Sequence, residues 1–302
     1  MKWILRPGSK EEEVFNKKYN EEIDSLGPIE DVNDVTWKFF YKKHLVFSTV
    51  VIFVPIILVL YLYFAHKIIH PLIFMPPVVL IFSWFWYAKM IVFEEFMKQF
   101  AKSKKLSYTR ILPLDSVSGR LFENGHSKII KNAVSGIYES HPMRIFNYQY
   151  TIGAGRSSQT LFFTIFEIQF EKTIFPHILL QSKSMLNFNV MNKLNNTKDS
   201  EISLSNQAKE NFRLYTTSGY EIETLQIFTE ETLELLRQKS SKFSIEFAEN
   251  RMYIYDDLFI SKKSSLLELY EIAQLIFDSI GPLLNRLHDD FAVLHPYYKD
   301  AE

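Results

Sequence analysis

A run of 21 residues without a charged side chain, Leu45 to Ala65 (LVFSTVVIFVPIILVLYLYFA), constrains this chain more than any other feature. A helix rises about 1.5 Å per residue, so this stretch covers roughly 30 Å, the hydrocarbon thickness of a bilayer. A soluble helix of that length carries a polar stripe, and this one has none. The run therefore predicts a transmembrane helix, kinked at Pro55 in the way membrane helices tolerate. After HKIIHP a second apolar run, Leu72 to Ala88, holds 17 residues, the short end of the spanning range. Lys89 can snorkel to the interface and let the helix continue to Phe93, with Pro76 and Pro77 breaking its first turns. The expectation is a helical hairpin of spans 45–65 and 72–93, with a re-entrant second segment as the alternative.

Charge gives the orientation. Lys38, Lys42 and Lys43 precede span one, and Lys89, Lys98, Lys102, Lys104, Lys105 and Arg110 follow span two, whereas the short loop holds only Lys67. Positive residues stay on the cytoplasmic side, so the expected location is the cell (inner or plasma) membrane, multi-pass, with both termini cytoplasmic. Trp37, Phe39, Phe40 and Tyr41, and at the other end Trp84, Trp86 and Tyr87, flank the spans as interfacial belts do. The first 44 residues carry 8 Lys+Arg and 9 Asp+Glu and read as a polar cytosolic segment, with neither the basic n-region nor the short apolar core of a signal peptide.

Composition narrows the function classes. In 302 residues, 34 Lys+Arg against 35 Asp+Glu leave a net charge of −1, without the basic excess of a nucleic-acid binder. Aromatic residues make up 16%, too many for a disordered chain. Cysteine is absent, which excludes disulfides, thiolate nucleophiles and Cys-ligated metals. The mean hydropathy of −0.06 averages an apolar hairpin and a polar remainder.

Residues 94–110 read as a basic juxtamembrane helix, and 111–302 as one cytosolic α+β domain. There the apolar period changes to two. Ile129–Glu139, Met143–Ile152, Thr160–Phe170 and His177–Gln181 alternate as an antiparallel meander, with GAGRSSQ (Gly153–Gln159) as a hairpin loop. Phe166, Ile168 and Phe170 occupy one face and Glu167 and Gln169 the other. Residues 183–209 read as a loop with a short strand at Ile202–Leu204, and Asn211–Thr216 as another strand. Thr229 is the N-cap of a helix running to about Lys239. Phe243–Ala248 and Met252–Tyr255 form a second hairpin, and Leu266–Phe291 a C-terminal amphipathic helix that Gly281-Pro282 kinks or splits.

This order of features resembles uncharacterised bacterial two-span membrane proteins grouped as domain-of-unknown-function family 3137. The resemblance rests on LFENGHSKIIKNAVSGIYESHPMRIFNYQY, NFRLYTTSGYEIETLQIFTEETLELL and SIEFAENRMYIYDD, and covers about residues 36–290. It implies the layout of two spans followed by a sheet domain, and it implies no activity, cofactor or site residue. The 183–209 segment would be an insertion relative to that layout.

Residues of chemical interest are few. Lys98, Lys102, Lys104, Lys105 and Arg110 place five positive charges within 13 residues and no acid, a cluster suited to anionic lipid headgroups. Arg156, Ser157 and Ser158 at a hairpin tip are candidates for contact with a partner. The loop around them is no phosphate cradle, because it joins strand to strand. His66 and His70, at i and i+4, lack the third ligand of a metal site, and read as a polar helix end. His288, Asp289, Asp290 and His295 read as the polar end of the last helix, Asp256-Asp257 as a turn, and Glu94-Glu95 as interfacial helix surface. No nucleophile-elbow, P-loop, kinase or zincin spacing is present. The expectation is a membrane-tethered cytosolic binding or scaffold module, without catalytic residues, cofactor or metal. Its partners would be the bilayer, anionic lipid headgroups, and a protein partner or further copies of itself, with no nucleic acid. The alternatives are a membrane-bound hydrolase using distant Asp and His, or an oligomeric transport accessory.

Overall fold

The computed structural model describes residues 31–32, 45–66, 75–170, 174–185, 199–270, 272–274 and 276–277. Its contacts divide the chain into two units, Met1–Lys104 with Ser261–Lys263, and Lys105–Ile260 with Ser264–Glu302.

The first unit contains α1 (Leu45–His66) and α2 (Met75–Ser103), which pack against each other. Pro55 lies inside α1. On α1 the side chains of Phe53, Val54, Ile57, Leu60, Tyr61 and Phe64 are exposed, and on α2 those of Val79, Phe82, Trp86, Tyr87 and Met90. Counted over the residues whose side chains are described, no helix is long and apolar enough to cross a membrane. Along α2 the surroundings change: Val92, Phe93, Glu95, Phe96, Met97, Lys98, Phe100 and Ala101 are all buried.

The juxtamembrane helix expected over 94–110 ends early. Lys105 has φ +56°, which an α-helix cannot continue through, and the Ser103 hydroxyl bonds back to the Phe100 carbonyl at 2.8 Å. The following SYTRIL, rich in β-branched and aromatic residues, becomes β1 (Ser107–Leu112) instead.

The second unit is built on a nine-stranded antiparallel sheet. Its strands are β1, β2 (His126–Tyr138), β3 (His141–Ile152), β4 (Gln159–Gln169), β5 (Phe175–Ser182), β6 (Asp199–Ile202), β7 (Phe212–Thr217), β8 (Ser244–Glu249) and β9 (Arg251–Asp256). Their order is β1-β2-β3-β4-β9-β8-β5-β7-β6. A mixed α+β fold with a large antiparallel sheet is therefore what forms. The expected meander holds for β2, β3 and β4, with β1 as its fourth strand. His177–Gln181 does not join it, because the β8–β9 hairpin inserts between β4 and β5. Alternation identifies a strand but not its neighbour, and this neighbour is set by contacts about 85 residues apart, Thr164–Gln169 against Arg251–Asp256. The segment 183–209, expected as a loop, holds β6 and, at its end, α4 (Asn206–Asn211), and the short strand lies at Asp199–Ile202, not 202–204.

Both faces of the central strands are buried. One face carries Phe146, Tyr148, Tyr150, Phe163, Tyr253 and Tyr255 in a single cluster, where the Tyr148 and Tyr150 rings stack with centroids 5.5 Å apart. The strap 113–125, containing a short 3-10 turn (Leu114–Ser116) and α3 (Arg120–Glu123), covers it. Phe122 enters the cluster edge-on to Tyr148 and Tyr253. Gly125, at φ +74°, lets the strap approach, since a Cβ there would sit 2.5 Å from the Tyr150 ring. The other face packs against α5 (Glu221–Ile227) and a final helix, α7, described at 263–270, 272–274 and 276–277, while α6 (Glu230–Ser240) packs against α4. Phe277 meets Tyr138, His141 and Phe170, Tyr270 meets Phe166, and Phe228 meets Phe247. The expected N-cap is present, with the Thr232 amide donating to the Thr229 hydroxyl at 3.2 Å.

Candidate functional site

The polar chemistry of the sheet gathers in one row beneath the strap. Pairing aligns Arg144 on β3 with Glu167 on β4, Glu167 with Tyr253 on β9, and Tyr253 with Glu246 on β8. In an antiparallel sheet such partners share a face, so four polar side chains lie in line across an otherwise aromatic surface.

Glu167 is 1% exposed and holds two guanidinium groups. Arg144 reaches it at 2.6 Å through Nη2 and 3.0 Å through Nε, and Arg251 Nη1 lies 3.3 Å away. Burial pushes the Glu167 carboxyl above its ordinary range, and the hydrogen bond and charge of Arg144, then Arg251, pull it back. Both arginines also donate to the Ser116 carbonyl of the strap, Arg144 at 2.8 Å. One step along, the Tyr253 hydroxyl accepts from the Ser118 amide at 3.1 Å. Burial first, then the charge of Glu167, pushes that hydroxyl up to about 12, so it stays neutral. At the end of the row Glu246 Oε1 accepts from the Arg120 amide at 2.7 Å and faces His177 Nε2 at 3.1 Å. Gly119 sits over this carboxylate with φ +117°, a conformation that favours glycine.

What the row does chemically is hold a backbone segment. Strap residues 116, 118 and 120 each offer a main-chain group, one carbonyl and two amides, to a side chain of the row. From the far side, Lys128 Nζ donates to the carbonyls of Phe122 and Glu123, closing the C-terminal end of α3. The acid–base pair His177–Glu246 is part of this rack, with its carboxylate committed to the strap amide.

Periodicity alone did not reveal this row. It placed Glu167 and Gln169 on a face opposite Phe166 and Ile168, which is correct, but that face is a second core. The available signal was charge compensation: Arg144 and Arg251 flank the strands that bracket Glu167.

The residues singled out from sequence scatter. Lys98 is buried and paired with Glu94 at 2.9 Å, Lys102 and Lys105 are exposed, and Lys104 and Arg110 are half-buried, on a turn and on β1. They do not form the single helical cluster expected. Glu95 is buried, not helix surface. Arg156, Ser157 and Ser158 do come together at an exposed tip, in a 3-10 turn at Gly155–Ser157. Asp256 ends β9 and Asp257 opens the bend after it, both are buried, and burial pushes the Asp256 carboxyl up to about 6. His70, Gly281-Pro282, His288, Asp289, Asp290 and His295 lie outside the described residues, as does the side chain of His66. Among the described residues no group of three metal-ligating side chains occurs. A shallow depression of about 290 Å³ lies between α4 and α6, where Glu234 is paired with Arg237 at 2.6 Å.

No family model matches the chain, and no curated protein matches it. Among solved structures, the crystal structure of the mycobacterial trehalose monomycolate transport factor A, TtfA, is similar at 12% identity and a TM-score of 0.47, covering 62% of this chain and 94% of that one. At that score the likeness carries no argument about activity, substrate or partner.

Proposed function

We propose that this chain is a membrane-tethered cytosolic binding or scaffold module that does no chemistry of its own. In this reading α1 and the apolar part of α2 form a two-span hairpin in the cell membrane, with both termini cytoplasmic, and the sheet domain works at the membrane surface. The observation that carries it is the surface of α1. Val50, Phe53, Val54, Ile56, Ile57, Leu60, Tyr61, Tyr63 and Phe64 are all exposed, on successive turns of a helix that bears no charge up to Ala65. Soluble monomers rarely leave contiguous apolar patches beyond a few hundred Å² in water. Hydrocarbon is the environment in which such a helix is stable.

The non-enzymatic part rests on the buried row. Its carboxylates and arginines bond to each other and to strap backbone, an arrangement that fixes a fold. The headgroup role narrows to Lys102, Lys104, Lys105 and Arg110, because Lys98 is neutralised by Glu94. Arg156, Ser157 and Ser158 remain the proposed contact for a protein partner, and membership of family 3137 remains our reading of the layout. Alkaline carbonate extraction of membranes expressing the full chain tests the tether. Retention in the pellet is expected, and release into the supernatant overturns the proposal.

A further inference from the structure

Two residues ahead of α1 are described, and both bond to the chain beyond the sheet. The Lys263 amide donates to Asp31 Oδ1 at 2.7 Å, across 232 positions of sequence. The Val32 amide donates to the Ser261 carbonyl at 3.0 Å, and Val32 is fully buried. Lys263 opens the helical stretch 263–270, so its amide is one of the four that a helix start leaves without an internal partner. Asp31 thus fills the place of an N-cap, a position where Asp is among the preferred residues, from a distant segment. A carboxylate there also complements the positive end of the helix dipole.

We infer that the segment at Asp31–Val32 is a clasp on Ser261–Lys263, and that the chain between them enters and leaves the bilayer on the same side. The clasp stands on its own geometry; its consequence for the bilayer rests on the tether proposed above. Asp31 precedes the first span and Lys263 follows the second. A hydrocarbon core about 30 Å thick cannot separate two groups in hydrogen-bond contact. The number of crossings between them is therefore even. A second segment that dips in and returns would make the number odd and put the two halves of the clasp on opposite sides. The clasp therefore selects the two-span hairpin over the re-entrant alternative, without any appeal to the distribution of Lys and Arg. It also gives Asp31 a structural part, capping the helical stretch that starts at Lys263.

The chain has no cysteine, so an introduced pair reports without background. In isolated membranes carrying the full-length V32C/S261C variant, copper-phenanthroline oxidation should give a faster-migrating band that reverts on reduction. T151C/T160C, on adjacent strands where the native hydroxyls are 3.0 Å apart, is the positive control. A control that closes while V32C/S261C stays open overturns the clasp. Closure in a chain that carbonate washes off the membrane upholds the clasp and removes the tether, so the two failures are distinguishable. Hydrogen exchange gives a second reading. D31A should raise deuterium uptake at the amides of residues 263–266, and D31N, which can still cap, should leave it near wild type. Unchanged uptake in D31A overturns the capping role.

Discussion

Asp256 gives the sharpest handle on the second unit. It ends β9, pairs in register with Thr164, and is 9% exposed. Burial is the main force on its carboxyl, Lys242 lowers it, Asp257 raises it, the Leu258 amide lowers it, and Glu268 raises it, leaving it at about 6 against an ordinary 3.8. The folded pKa is raised, so the folded state favours the protonated acid. Stability from this group is fully present below about pH 4 and is lost as pH rises towards 6, beyond which the folded chain carries a penalised carboxylate. A difference of about 2 pH units at 1.36 kcal/mol each is about 3 kcal/mol. At 2–4 °C per kcal/mol for a domain of this size, that is roughly 6–12 °C in Tm. D256N keeps the shape and removes the charge. Thermal unfolding of the full chain in detergent, followed by the β-sheet signal in circular dichroism, should show D256N more stable than wild type at pH 7.5 and indistinguishable near pH 4. Other groups titrate in the same window, so the readout is the difference between the two proteins. Parallel pH profiles for wild type and D256N would refute the reasoning.

Glu167→Ala strands two half-buried guanidinium groups and should lower unfolding stability by less than the roughly 3–5 kcal/mol of a fully buried pair, read as a drop in urea midpoint. Phe122→Ala empties the slot between Tyr148 and Tyr253, costs about 3–5 kcal/mol, and should loosen the strap, seen as faster proteolysis within 113–125. A peptide spanning 99–112 should bind anionic vesicles through Lys102, Lys104, Lys105 and Arg110 at about 1 kcal/mol per charge that reaches the surface. Replacing the four with Gln, or raising salt to about 1 M, should abolish the preference over neutral vesicles.

Some of this architecture was legible in the sequence for identifiable reasons. β2, β3, β4 and the β8–β9 hairpin announce themselves because period-two alternation is local, and α6 because Thr229 is a strong cap. The end of α2 was not legible, since FAKSKKL continues a plausible helical pattern and only the turn at Lys105 with the pairing of β1 stops it. The insertion of β8–β9 beside β4 was hidden for a different reason: neighbour choice depends on groups far apart in sequence, the Arg251 side chain meeting Glu167 and the Asn250 carbonyl accepting from the Phe170 amide at 2.8 Å. The buried row was missed because alternation puts Glu167 opposite Phe166 and leaves open what covers that face. Covering on both sides buries it, and sequence periodicity has no term for a second covering layer. Lys98 illustrates the same point on a helix: counted among surface charges, it is enclosed and paired four residues back.

The central claim is a hairpin in the membrane with the sheet domain on the cytoplasmic side. Single cysteines in the naturally cysteine-free chain test it directly, one at Ile68 between the spans and one at Ser157 on the exposed β3–β4 tip. With a membrane-impermeant maleimide on intact cells, Ile68→Cys should be labelled and Ser157→Cys protected until the membrane is permeabilised. Labelling of Ser157→Cys in intact cells, or protection of both positions, would contradict it.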